Sequence, residues 1–243
     1  MDACQIEQSV CFAPFPHAWG NEGISPNEWL VNEIRGNDRL CAFGTVDVRR
    51  DDIPQQVQQA ADLGCRGLKM HPNAQSFAIL SPPAMQAYAA AEKLGLFISF
   101  HSGVHQAPIK DTRVIMFDEI AWQFPNLRFS MEHIGGPHFF LEAMSVLFNH
   151  MPTPWAHGKS NVFGGLASIF SPKTKPFWYL GPQRLAELVA QIDSTQLIFG
   201  LDFPYNLELD TQQGIDTIRG LGLPSEKSEQ ILGGNLRREL SLK

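Results

Sequence analysis

Five side chains able to do chemistry close short apolar runs in this sequence. Lys69 and His71 end CRGLKMHP (65–72), His101 ends the core of LFISFHSG (96–103), His133 lies in LRFSMEHIGG (127–136), and Asp202 lies in QLIFGLDFPY (196–205). Imidazole and carboxylate groups bind divalent metals and act as general acids and bases, while a lysine supplies a compact positive charge. Alternation along a strand puts Phe97, Ser99 and His101 on one face, and Ile198, Gly200 and Asp202 on one face. A strand whose last inward position is His or Asp bears a desolvation cost unless that group has a partner. Each residue also has a plainer role available. A strand-end histidine can be an ordinary hydrogen-bonded residue, Lys69 can pair with a carboxylate, and Asp202 can open a turn ahead of Pro204. Four equivalent run ends carrying such groups favour a shared site, provided those ends converge in space.

The elements that must bring them together are seven apolar runs of strand length, each followed by a segment of helical character. Besides the four above, the runs are 9–14 (SVCFAP), 40–47 (LCAFGTVD) and 161–168 (NVFGGLAS). Runs this continuously apolar suit parallel strands buried on both faces. Amphipathic stretches fall at 51–63, ending before Gly64, at 82–94, ending before Gly95, and at 114–124 and 182–192. Three more helical segments, 210–221, 225–232 and 235–242, finish the chain, and the Pro- and aromatic-rich stretches 151–159 and 171–181 read as ordered loops. Alternating strand and helix with short connections means a parallel sheet with right-handed crossovers. The predicted fold is α/β, of the (β/α)8 barrel type, incomplete, with seven recognisable parallel strands in a single domain over residues 1–243. In such a barrel the C-terminal strand ends meet at one mouth, where the site belongs.

Composition narrows the partners. The 243 residues are 44% hydrophobic and 18% charged, with 19 basic against 25 acidic side chains and a net charge of −6. No Lys/Arg-rich run occurs, which argues against a nucleic-acid or membrane partner. Cys4, Cys11, Cys41 and Cys65 form no C-x-x-C pair and read as small core residues of a reduced, cytoplasmic protein. The expected ligand is a small molecule.

The segments GCRGLKMHP, FHSG, MEHIGGPHF, LIFGLDFPY and ILGGNLRREL together resemble, in order, the signatures of the amidohydrolase-related family. That family comprises metal-dependent barrel hydrolases and decarboxylases. The resemblance implies His101 as a metal ligand, Asp202 as a carboxylate that ligates metal or activates its water, and His133 as a ligand or an acid/base group. It implies a substrate-side role for Lys69, with His71 and His17 beside it, and a structural role for Arg237 across the closing helices. His105, Trp19, Trp155, His157 and Trp178 are further loop residues placed to meet a substrate, although each aromatic suits ordinary loop packing too.

The chain departs from the family pattern at its front. Relatives open on a strand ending in His-x-His, both ligands; this sequence has no His-x-His, and its first histidine is His17. Either the start is truncated, or a seven-stranded relative lacks that strand. A missing strand leaves two unpaired edges, which a homodimer could cover. The metal set expected is therefore His101, His133 and Asp202, holding a divalent ion, zinc first, at low occupancy. Three functions stay open: hydrolysis of a small amide, ester or lactone by an activated water, decarboxylation of a conjugated or aromatic acid, or an inactive or binding protein on the same fold.

Overall fold

The computed structural model describes residues 1–20, 23–153 and 159–242. Its frame is one sheet of seven parallel strands, β1 (Ser9–Phe12), β2 (Leu40–Gly44), β3 (Gly67–Met70), β4 (Phe97–His101), β5 (Phe129–Glu132), β6 (Val162–Gly165) and β7 (Leu197–Ile198), paired in chain order. Helices α1 (Pro26–Ile34), α2 (Ile53–Asp62), α3 (Pro82–Leu94), α4 (Met116–Gln123), α5 (Gly136–Asn149) and α6 (Gly181–Gln191) fill the crossovers. After β7 come α7 (Glu208–Arg219), α8 (Ser225–Glu229) and α9 (Asn235–Leu240). Among the described residues β1 and β7 do not pair, so the barrel is an incomplete (β/α)8 barrel with an open side.

The two faces of the sheet are buried in different ways. Leu68, Met70, Ile98, Phe100, Phe129 and Met131 face outward and are buried in one continuous core with helix residues such as Val57, Ala60, Ala87 and Phe117. The inward face is layered. At its floor Cys41, Phe43, Phe97, Phe163 and Ile198 form a second cluster with Leu240 of α9, and Val10, Leu236 and Leu242 pack against it. Lys69, Ser99 and Ser130 lie in register on β3, β4 and β5 above that floor. His101 and Glu132 form the next register above them. The C-terminal helix thus plugs the bottom of a barrel whose polar residues are all confined to its upper half.

Two side chains tie the plug in place. Asn235 is fully buried and its amide donates to the carbonyls of Ser194 and Leu197, both at 2.7 Å. Arg237 reaches Glu7 at 2.6 Å, joining the segment before β1 to α9. That pair is exposed and is worth no more than about 1 kcal/mol.

All seven strands lie inside the predicted runs, and Gly95 stops α3 in the left-handed conformation, with φ 67. The predicted helix 225–232 is shorter: it ends at Glu229, and a π-type turn at Gln230–Gly234 swings the chain into α9. Helices α1 and α5 were not foreseen. The first is set by a capping box, Ser25 with Glu28, and the second opens on Gly136-Pro137, which reads in sequence as a loop. All four cysteines are free. No helix among the described residues is long and apolar enough to cross a membrane.

The floor generates a prediction. Leu240 is 4% exposed and meets side chains from four strands. Leu240→Ala should cost about 3 kcal/mol in urea unfolding, within the usual span for buried leucines, whereas Arg237→Ala should cost under about 1 kcal/mol. Equal costs would show that the plug is held by its charge pair instead.

Candidate active site at the barrel mouth

The middle of the barrel holds a hydrogen-bonded polar belt. Lys69 Nζ donates to Ser99 Oγ at 3.4 Å, Ser99 Oγ donates to Glu132 Oε1 at 3.0 Å, and Ser130 Oγ donates to the same oxygen at 2.5 Å. The Glu132 carboxylate lies flat against Gly165, where an added Cβ would come within 2.1 Å of Oε2. Only glycine leaves room for it. Burial pushes the Lys69 amine below the ordinary lysine value, against the opposing pull of Glu132 and Asp202.

Above the belt the histidines form a stack. The His71 and His101 rings are parallel with centroids 3.7 Å apart, and His133 stands 5.0 Å from His101 at 61°. Trp178 closes the other side, 5.4 Å from His101 and 4.8 Å from His133. Its indole rests on the glycines of the FHSG and HIGG segments: a Cβ on Gly103 would approach it to 2.5 Å and one on Gly136 to 2.9 Å. His105 joins at 5.0 Å from His71.

Hydrogen bonds assign the tautomers. His133 Nδ1 is 2.9 Å from the Ala167 carbonyl, which can only accept, so Nδ1 carries the proton and Nε2 keeps its lone pair. His71 Nδ1 accepts the Ala74 backbone N–H at 3.1 Å, so its proton sits on Nε2. His101 Nε2 is buried without a hydrogen-bond partner among the described residues. Burial drives all three toward the neutral form. His71 falls to about 2, helped by Lys69, and His101 and His133 also fall, although Asp202 pulls His133 back up.

Asp202 is held from outside the cluster. Ser168 Oγ donates to Asp202 Oδ2 at 2.7 Å, and Asn206 donates to Ser168 Oγ at 2.7 Å and to the Leu201 carbonyl at 2.8 Å. His133, Ser168 and Asp202 all adopt left-handed backbone, with φ of 64, 63 and 57. Such residues cost about 1–3 kcal/mol each and persist where their surroundings force them. At His133 the forcing contact is Ser102, whose hydroxyl donates to the Glu132 carbonyl at 2.6 Å and accepts from Gly135 N–H at 3.0 Å.

The expected site residues therefore divide. Lys69, His71, His101 and His133 share the mouth, and Asp202 acts on Lys69 and His133 through its charge. His17 stacks on Phe15 at 5.9 Å and reaches the cluster only through that ring, which edges onto His71 at 5.9 Å. Trp19 packs on Trp29 at 5.3 Å and donates to the Ile24 carbonyl, away from the mouth. Trp155 and His157 fall outside the described residues. Glu132 and Ser168 join the site without being predicted, and Ser99, predicted only to share a face with His101, joins as a hydrogen-bond partner. Period-two alternation from Ser130 marks Glu132 as inward.

The metal set expected from sequence meets a stricter test. Two neutral nitrogens with free lone pairs, on His101 and His133, suit a divalent ion, yet no three His, Cys, Asp or Glu groups come close enough to hold one among the described residues. A catalytic zinc uses three protein ligands, and Lys69 beside this pair adds positive charge whenever it is protonated. The residues present do not fit a resident metal.

The neutral histidines make stability depend on pH. Unfolded, each titrates near 6.5; folded, all three titrate lower, His71 and His101 well below that value. Their contribution is complete above about pH 7.5 and is lost as pH falls below 6.5, by about 1.4 kcal/mol per histidine per pH unit. Urea unfolding at pH 7.5 and pH 5 should show this fall, with His101→Asn removing about a third of it. A slope unchanged in that variant would mean His101 is not buried neutral.

Comparison with known proteins agrees with this architecture. The family model described as amidohydrolase matches residues 9–241. No curated protein matches the chain in sequence. Among solved structures, an uncharacterised TIM-barrel protein from Bordetella bronchiseptica is 20% identical over 100% of this chain and 80% of its own, with a TM-score of 0.78. A probable 2-pyrone-4,6-dicarboxylic acid hydrolase from Acinetobacter baumannii, with citric acid bound, is 14% identical over 97% and 84%, with a TM-score of 0.67. A dihydroxybenzoic acid decarboxylase from Polaromonas, with bound manganese and an inhibitor, is 13% identical over 89% and 74%, with a TM-score of 0.61. At these identities the structures establish the shared fold, and the family model spans nearly the whole chain, which belongs to the amidohydrolase family.

Proposed function

We propose that the chain hydrolyses a small amide, ester or lactone at the barrel mouth, with His133 as general base and Asp202 as its charge partner. The observation that carries this reading is the fixed tautomer of His133. Its Nδ1–H is spent on the Ala167 carbonyl, which leaves Nε2 as a buried, neutral proton acceptor. A water between Nε2 and the substrate carbonyl gives up a proton to Nε2 as its oxygen attacks. The imidazolium so formed is favoured by the Asp202 charge, and Ser168 and Asn206 hold that carboxylate still. His71, protonated on Nε2 and far from taking a second proton, is a neutral donor available to the developing oxyanion. Trp178 and the parallel His71 and His101 rings offer a flat substrate apolar faces. The same faces suit an aromatic acid, and the decarboxylase among the structural neighbours makes carbon dioxide release the second reading to assay.

The experiment is a panel of esters, lactones and aromatic acids assayed with and without added manganese or zinc. Hydrolysis should persist in chelator, and His133→Ala and Asp202→Asn should each lower kcat by about 10²-fold or more. The rate should hold on acidification past pH 6.5 and fall only at lower pH, because His133 titrates below the usual histidine value and must be neutral to accept a proton. Metal uptake should stay below one ion per chain. A stoichiometric ion, lost in His101→Ala and required for turnover, would replace this mechanism with a metal-assisted one.

A further inference from the structure

Lys69 is a buried amine in the barrel interior that the hydrolytic chemistry does not use as a reactant. It is 8% exposed, and among the described residues it makes no ion pair. Its polar contact is the long 3.4 Å hydrogen bond to Ser99 Oγ. A buried ammonium normally has a carboxylate against it. Here the nearest carboxylate in the hydrogen-bond chain, Glu132, is one hydroxyl away. On its other side Nζ lies over the Phe12 ring, 5.0 Å from the centroid. Phe12 is 42% exposed and ends β1, whose outer edge is unpaired among the described residues, so a single exposed ring stands between the amine and the open side of the barrel.

We infer that Lys69 is an imine-forming amine, a covalent site for a small carbonyl compound, either an aldehyde or an α-keto acid. A desolvated amine holds its proton less tightly and so offers its lone pair to carbonyl carbons more readily than a surface lysine does. The neighbours complete the chemistry. The Nζ lone pair forms the new N–C bond while the C=O π pair moves to oxygen. One N–H proton travels through Ser99 Oγ and Glu132 to that oxygen, giving a neutral carbinolamine. A solvent proton delivered by the same carboxyl lets the oxygen depart as water, and the nitrogen lone pair closes the C=N bond. The product is an iminium cation, which the Phe12 face and the Glu132 carboxylate both favour. Burial of the amine, which lowers its proton affinity, assists the first step, the attack of the lone pair. This site is independent of the hydrolytic reading, because it requires neither His133 nor Asp202.

The test uses the intact chain. It is incubated at pH 7.5 with propionaldehyde in one arm and glyoxylate in the other, each with sodium cyanoborohydride, then digested and mapped by mass spectrometry. The reduced adduct is expected on Lys69 at least about tenfold faster than on the exposed Lys93, Lys110, Lys173 or Lys227, since at this pH a surface lysine is almost wholly protonated. Ser99→Ala should slow the Lys69 adduct by about 10²-fold through loss of the proton path, and Phe12→Ala should speed it. Labelling of the exposed lysines with Lys69 no faster than they are, or not labelled at all, would overturn the assignment. Because the decisive comparison is made within the unaltered chain, it does not rely on any variant folding.

Discussion

A carboxylate, an amine and two hydroxyls share the centre of a barrel whose floor and outer wall are hydrocarbon, and the geometry above them depends on their being satisfied by one another. Glu132 accepts from Ser99 and Ser130, Lys69 leans on Ser99, and Gly165 keeps the space that the carboxylate fills. Removing Glu132 would leave the Ser99 and Ser130 hydroxyls without the acceptor they share, which is costlier than losing one hydrogen bond. The belt also sets the electrostatics of the mouth. Burial between it and the apolar walls keeps the histidines neutral, and neutral histidines are the ones that can pass protons.

Strain at the strand ends is the second consequence. A parallel strand delivers its side chains alternately in and out, so consecutive Glu132 and His133 cannot both face the mouth in extended backbone. The chain resolves this by turning left-handed at His133, a conformation that Ser102 and Gly135 stabilise. The same device recurs at Ser168 and Asp202 on neighbouring strand ends, where a hydroxyl–carboxylate bond and the Asn206 amide hold both residues in place. Three of the eight non-glycine residues in left-handed backbone among the described residues, His133, Ser168 and Asp202, lie at the site.

The open side of the barrel shapes how the molecule is closed. With β1 and β7 not paired to each other among the described residues, Leu236, Leu240 and Leu242 seal the interior from below, and Asn235 fixes that helix to the backbone of the last strand. At the upper end of the same side stands Phe12, exposed and facing Lys69. Floor and mouth are thus treated differently: hydrocarbon fills one, and the other is left within reach of solvent.

The sequence alone determined the strands, their order, and most of the helices, because a parallel strand buried on both faces leaves a continuous apolar run that no neighbour can disguise. It also determined that Lys69, His71, His101 and His133 meet, since strand ends converge in any such barrel. Helices α1 and α5 escaped notice because glycine and proline at their starts carry a loop signal that capping and packing override. What only the tertiary structure decided was which groups face one another. Glu132 became the centre of the belt through cross-strand register, Trp178 joined the cluster because two glycines flatten beneath it, and Trp19 was drawn away by Trp29. Those outcomes depend on distances between residues far apart in the chain. The same holds for the metal set, whose residue types were legible but whose failure to gather three ligands is a matter of positions in space.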